Sequence, residues 1–324
     1  MTAILGIETS CDDTGVAVVD DTYRILTNEV SSQIAKHAEF GGVVPEIASR
    51  EHTRVISQMT ERALASTDTP IDAIATTTGP GLMGSLLVGF SFGKALAYAL
   101  DVPFVPVHHI EGHIFSPFLN GTGPQFPALA LIVSGGHTQL ILCRAEHEYE
   151  ILGSTRDDAV GECFDKVARL LNLPYPGGPS IQQEAENGDP KAVDFPRGMV
   201  KSPSLEFSYS GLKTAVLYEL QKNPSIKSAD IAASFQAAAI DVLLIKTKRA
   251  LQITKAPRLI VAGGVAANAL LRKRLAEELD VPVLMPTIEY CADNGAMIAA
   301  AGHSRLIKGL IDASPERPHP SLPL

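Results

Sequence analysis

Residues 3–19 read AILGIETSCDDTGVAVV, and residues 129–143 read LALIVSGGHTQLILC. Each is an apolar run, a short loop and a second apolar run. In the first copy, runs 3–7 and 15–19 flank the acidic, small-residue loop 8–14. Runs this short, bounded by turn residues, predict strands paired as a hairpin. In the second copy, runs 129–133 and 140–143 flank Ser134-Gly135-Gly136-His137-Thr138. Thr14 and Thr138 fall at matching places. A repeated strand, phosphate-sized loop and strand predicts two similar halves.

Outward from these hairpins, residues 24–30 predict a third strand. Residues 45–66 carry Ile47, Val55, Ile56 and Met59 at helical spacing, with Pro45 in the first turn, and predict a helix. Strands are expected at 71–77 and 104–107. Between them Thr78-Gly79-Pro80-Gly81 turns sharply into a helix over 83–100. The second half predicts a helix over 158–171, then loops with a short helix over 172–205. A long helix follows over 228–254, with Ala232, Phe235, Ile240, Leu243 and Leu251 on its apolar side. Next come a strand over 259–262 ending in Gly263-Gly264, a helix from near Asn268, and a strand over 281–284. A last helix is expected from Asp293 to about Ile307, and an extended, proline-rich tail over 314–324. Alternating strands and helices make an α/β fold. Two lobes of this plan are the architecture of actin, sugar kinases and Hsp70-like ATPases, an analogy of fold and not of function. The expected lobes are 1–127 and 128–324, the second with an inserted loop and helix segment around 172–225.

The chain has 324 residues, 45% of them hydrophobic and 19% charged, which is ample for a core and unlike disorder. Lys and Arg number 27 against 36 Asp and Glu, a net charge of −9. That argues against a free-standing nucleic-acid binder, because phosphate neutralisation needs basic surface. Residues 1–127 hold six basic and fourteen acidic side chains, whereas residues 128–324 hold 21 and 22. The second half is therefore the better host for RNA. The four cysteines, Cys11, Cys143, Cys163 and Cys291, form no CxxC pair, as expected in a reducing cytosol. No signal or transit peptide is expected before the first strand, and no run approaches 18 uninterrupted apolar residues, so no membrane span is expected. A cytoplasmic location is expected.

His109-Ile110-Glu111-Gly112-His113 is the strongest local feature. On a helix, residues four apart share a face, so both imidazoles can bind one ion; the plainer alternative is a pair lining an interface. A zinc protease carries H-E-x-x-H, with Glu directly after the first His. Here Ile110 occupies that place, and Glu111 falls roughly 200° around the helix from His109. Asp293 opens a helix after a strand, where it is either a third ligand or an ordinary N-cap. Two imidazoles and a carboxylate leave open positions suited to Fe2+ or Zn2+. Ser134-Gly135-Gly136 and Gly263-Gly264 each follow a strand and can bring N–H groups to phosphate. Asn268 can read an adenine or ribose edge. Asp165 is either a ribose acceptor or an exposed helical charge, and Tyr175-Pro176-Gly177-Gly178-Pro179 is a rigid turn. There is no P-loop and no GxGxxG fingerprint. Cys11 beside Asp12 and Asp13 is structural, because neighbouring carboxylates suppress a thiol's reactivity.

These motifs together resemble the TsaD (formerly Gcp) family, bacterial branch, along nearly the whole chain. The matching segments are GIETSCDDT (6–14), FGGVVPE (40–46), TGPGLMGSL (78–86), HHIEGH (108–113), VSGGHTQL (133–140), GECFDK (161–166), YPGGP (175–179), FSYSGLKT (207–214), GGVAAN (263–268) and CADNGAM (291–297). The resemblance implies an actin-like ATPase (ribonuclease H-like) fold of two lobes with a duplicated strand-loop-strand core. It implies one divalent metal, Fe2+ ahead of Zn2+, on His109, His113 and Asp293. It implies a substrate pocket built from Ile132, Val133, Ser134, Gly135, Gly136, Asp165, Gly178 and Asn268. The implied reaction moves a threonylcarbamoyl group from threonylcarbamoyl-AMP to N6 of adenosine 37 in tRNAs reading codons that start with A. The implied partners are tRNA, a TsaB-like paralogue pairing through the N-terminal lobe, and a TsaE-like ATPase, with no membrane. Ala292, Cys163 and Gln182 depart from the usual Thr, Ala and Asp; the Gln182 departure implies that one ribose contact is lost or altered. No catalytic base follows, with Asp12, Asp13 and His137 candidates by position alone. The rival readings are a metallo-endopeptidase and a non-catalytic nucleotide-binding scaffold.

Overall fold

The computed structural model describes residues 2–121, 123–311 and 316–324. The expectation for 314–315 lies outside them. The first hairpin forms from the two apolar runs, with β1 (Ala3–Glu8) antiparallel to β2 (Asp13–Asp20) and β2 antiparallel to β3 (Ile25–Ser32). A short helix α1 (Ile34–Ala38) leads to α2 (Pro45–Ala65), which starts on the expected proline. β4 (Ala73–Gly79) runs parallel to β1, α3 (Met83–Leu100) follows, and β5 (Phe104–His108) runs parallel to β4. The seven-residue helix α4 (His109–Phe115) begins directly where β5 ends.

The second half repeats this. β6 (Ala128–Val133), β7 (Thr138–Ala145) and β8 (Glu148–Ser154) form an antiparallel meander, followed by α5 (Val160–Leu170), α6 (Gly177–Ala185), α7 (Ser210–Lys222) and α8 (Ser228–Thr254). β9 (Leu259–Ala262) is parallel to β6, α9 (Ala269–Glu278) follows, and β10 (Val283–Leu284) is parallel to β9. The strand orders are β3-β2-β1-β4-β5 and β10-β9-β6-β7-β8. The duplication therefore covers whole five-stranded sheets. Counted from the two hairpin centres, Thr14 and Thr138 are equivalent positions.

The chain divides into residues up to Gln125 together with Glu289–Leu324, and Phe126–Ile288. The expected lobes were 1–127 and 128–324, but Glu289–Leu324 groups with the first unit and not with the second. The reason is α10 (Gly295–Ile307), whose residues 295–304 are all buried, chiefly against β1, β2, β4 and α4. It fits because both surfaces are made of small residues. A Cβ added at Gly6 would lie 2.2 Å from the Gly295 carbonyl oxygen, and one at Gly302 would meet Ala75. The opposite face of the same sheet buries Leu5, Ile7, Val16, Val18 and Ile74 against Ile56 and Met59 of α2. Each such side chain contributes about 1.5–3 kcal/mol.

α3 and α8 are long and apolar enough to cross a membrane by length and composition. α8 is largely buried within its own unit, so its apolarity is that of a core helix. α3 buries Leu86, Phe90, Gly93 and Ala97 and exposes Met83, Leu87 and Tyr98.

Candidate functional site

α4 is held at its start by an unusual cap. The His108 Nδ1 accepts the Ile110 N–H at 3.1 Å, and its Nε2 lies 3.0 Å from the Leu322 carbonyl, to which it donates. Burial pushes His108 down to about 4, so the ring is neutral and Nδ1 keeps the lone pair the cap needs. All seven residues of α4 are buried. Gly112 faces Ile298 and Met297, where a Cβ would come within 2.8 Å of Ile298, so its absence lets α4 and α10 approach closely.

That approach brings three ligand-type groups together. The His109 and His113 rings lie 4.7 Å apart. Asp293 Oδ1 is 3.7 Å from His109 Nε2 and 3.3 Å from His113 Nε2. One ligand atom from each residue lies within 4.8 Å of the others. With bonds of about 2.1 Å, neighbouring ligands of a tetrahedral ion stand roughly 3.4 Å apart, so this spacing fits one cation. The imidazoles are buried and the Asp293 side chain is 21% exposed, leaving an approach from its side. Burial, the largest influence on His109, opposes its protonation; Asp293 and then Glu8 outweigh it and lift His109 to about 9.

The N-cap reading of Asp293 does not hold. Asn294 is the cap, its Oδ1 accepting the Met297 N–H at 3.0 Å, and the helix begins at Gly295. Asp293 is thereby left to face the imidazoles. Glu111 points elsewhere, accepting from Arg305 at 3.0 Å while only 1% exposed. The carboxylate next in sequence to the missing protease base is therefore engaged by a guanidinium on α10. The Cys11 thiol is pushed well above its usual value by burial, then by Asp12 and Asp293, in keeping with a structural role. Burial, Asp12 and Asp293 also raise Asp13 to about 7.

The remaining expected site residues lie in the second unit. Ile132 and Val133 are fully buried strand residues that carry the loop after β6. That loop is closed by Ser134 N–H to the His137 carbonyl at 2.8 Å and by His137 N–H to Ser134 Oγ at 3.0 Å. A Cβ at Gly263 would touch the Val133 carbonyl, and one at Gly161 would touch the Ser134 carbonyl, so the loop, the start of α5 and the end of β9 are in contact. Asp165 Oδ1 accepts the Gly177 N–H at 2.7 Å, tying α5 to the turn that holds Gly178. Asn268 caps α9 through the Leu271 N–H and donates to Gln236 Oε1 at 2.8 Å. Gln182 Oε1 accepts the Ala269 N–H, joining α6 to α9. Added Cβ atoms at Gly135, Gly136, Gly178 and Gly264 would meet nothing. Packing does not demand glycine there.

Sequence reasoning missed Glu8, Thr77, His52 and Arg305. Glu8 ends a buried strand, and a carboxylate in that place signals a partner; the partners themselves come from distant segments.

The family model described as "TsaD: tRNA N6-adenosine threonylcarbamoyltransferase" matches residues 24–300. The chain belongs to the TsaD family. A family relative from Carboxydothermus hydrogenoformans, named tRNA N6-adenosine threonylcarbamoyltransferase, is 50% identical over 99% of this chain and 97% of its own length. Another of the same name, from Thiobacillus denitrificans, is 51% identical over 94% of this chain and 91% of its own. Among solved structures, the activator of 2-hydroxyisocaproyl-CoA dehydratase from Clostridium difficile is 13% identical with a TM-score of 0.56, covering 95% of this chain and 97% of that one. The chain thus has the actin-like ATPase fold, in agreement with its duplicated sheets.

Proposed function

We infer that the chain transfers a threonylcarbamoyl group to N6 of an adenosine in tRNA. Near-full-length identity of 50% to a relative named for that reaction carries the reading. The donor is threonylcarbamoyl-AMP, and the acceptor is adenosine 37 of tRNAs that read codons beginning with A. Ser134, Gly135, Gly136, Asp165, Gly178 and Asn268 hold the adenylate, with Ile132 and Val133 anchoring the first loop. The open space beside four of the glycines supports this, since a ligand can approach the backbone there.

His109, His113 and Asp293 hold one divalent ion, Fe2+ ahead of Zn2+; two nitrogens and one oxygen, without thiolate, suit either. When bound, such an ion supplies Lewis-acid stabilisation of negative charge on a carbonyl or phosphoryl oxygen. The chain's own part is to fix the two imidazoles on a buried helix and leave the carboxylate's side open. The N6 amine must shed a proton, for which Asp12, Asp13 and His137 are the candidates. The engaged Glu111 speaks against peptide cleavage.

The exposed Met83, Leu87 and Tyr98 of α3 suit pairing of the N-terminal lobe with a TsaB-like paralogue, and a TsaE-like ATPase completes the partners. The setting is the cytoplasm. The test is incubation with unmodified tRNA and threonylcarbamoyl-AMP, with and without those partners, followed by nucleoside mass measurement. A threonylcarbamoyl mass on adenosine is expected. Its absence under every combination, with a working relative as control, contradicts the reading.

A further inference from the structure

Glu8 is a fully buried carboxylate at the end of β1. Its Oε2 lies 3.1 Å from His109 Nδ1 and accepts the Thr77 hydroxyl at 2.6 Å, while its Oε1 accepts the Ser10 N–H. The Ser10 hydroxyl lies 3.2 Å from the same imidazole nitrogen. Ser10 and Thr77 are themselves no more than 2% exposed. A buried carboxylate needs compensating donors or charge, and here three separate segments supply them.

The two nitrogens of an imidazole point away from each other. Glu8 sits at Nδ1, whereas Asp293 sits at Nε2, so Glu8 is placed to orient the ring and not to share its ion. His113 has no such support: its Nδ1 is buried without a hydrogen-bond partner among the described residues. The two imidazoles are thus unequal, one anchored by a carboxylate and one held by packing.

We propose that Glu8 is the positioning carboxylate of the metal centre, holding the Nδ1–H of His109 so that only Nε2 is offered to the ion. The inference rests on the metal reading of His109, His113 and Asp293. An ionised partner on the far nitrogen fixes the tautomer and strengthens the ligand, and loss of such outer partners typically weakens metal binding about 10–100-fold. Thr77 and the Ser10 N–H act one step further out, by fixing the carboxylate.

The test uses the full chain stripped with chelator and titrated with Co2+ in competition with a chromogenic chelator. Glu8→Gln and Glu8→Ala are expected to weaken Co2+ binding about 10–100-fold, and Thr77→Val to weaken it less, in the same direction. In the Zn2+-loaded, 15N-histidine-labelled protein, the His109 Nδ1–H proton, assigned by its loss in His109→Gln, is expected to move upfield in Glu8→Gln. A merely structural residue would not move that resonance. Should Glu8→Ala fail to fold, the other two variants carry the test. Unchanged Co2+ affinity and an unchanged resonance in Glu8→Gln and Thr77→Val, beside a parent that binds Co2+, overturn the role of Glu8 alone. A parent that binds no Co2+ overturns the metal reading and this inference with it.

Discussion

Two imidazoles one helical turn apart, each within 3.7 Å of one carboxylate oxygen, set what single substitutions should do. His109→Ala, His113→Ala and Asp293→Asn each remove one of the three groups proposed to hold the ion. Each is expected to lower metal affinity by more than the roughly 10–100-fold typical of losing an outer-shell partner, measured by chelator competition. A second expectation concerns His52, whose Nδ1 meets the Thr14 hydroxyl at 2.7 Å and whose Nε2 donates to the Cys11 carbonyl at 3.0 Å. Burial pushes His52 below the usual histidine value, with the Cys11 carbonyl opposing it. As pH falls below about 6.5 the unfolded chain takes up a proton that the folded chain resists. Stability from this residue is therefore complete above that pH and lost as pH drops toward the lowered folded value. In metal-free protein, His52→Gln should flatten the decline in urea midpoint between about pH 7 and 5. The His109–His113 pairing was legible because helical spacing alone puts both on one face. Asp293 is named by the resemblance, but its local sequence leaves it equally a cap; the structure shows Asn294 taking that duty.

α10 is the element on which the centre depends, since it carries Asn294, Gly295 and Arg305 and begins beside Asp293. Gly6→Ala should destabilise the chain by about 1–3 kcal/mol in urea unfolding, because the new methyl meets backbone that cannot retreat. Asn294→Ala should cost about 1 kcal/mol by loss of the cap and loosen metal binding as Asp293 shifts. α10 reads as a helix from sequence, but its placement does not. Its contact face is chiefly Gly and Ala, which gives almost no amphipathic stripe, and its partners lie far earlier in the chain, from β1 to α4. β8 escaped notice for a related reason: as an edge strand it alternates charged and apolar residues with little burial. α7 did so because its apolar spacing is weak, with only Leu212 and Val216 buried.

At the scale of the molecule, one five-stranded plan occurs twice, and the hairpins that open each copy disclosed it. The later strands of each sheet are short or separated by long insertions, so the full extent of the duplication needed coordinates. Because 289–324 packs with the first unit, truncation after residue 288 should leave Phe126–Ile288 resistant to limited proteolysis while the first unit is digested. The central claim is that a cation on His109, His113 and Asp293 is required for transfer. The most direct test is the yield of threonylcarbamoylated adenosine from chelator-stripped protein as Fe2+ is added back. No product without metal, and recovery complete at one ion per chain, is the expected result; full transfer by the stripped protein, or by His109→Ala, contradicts it.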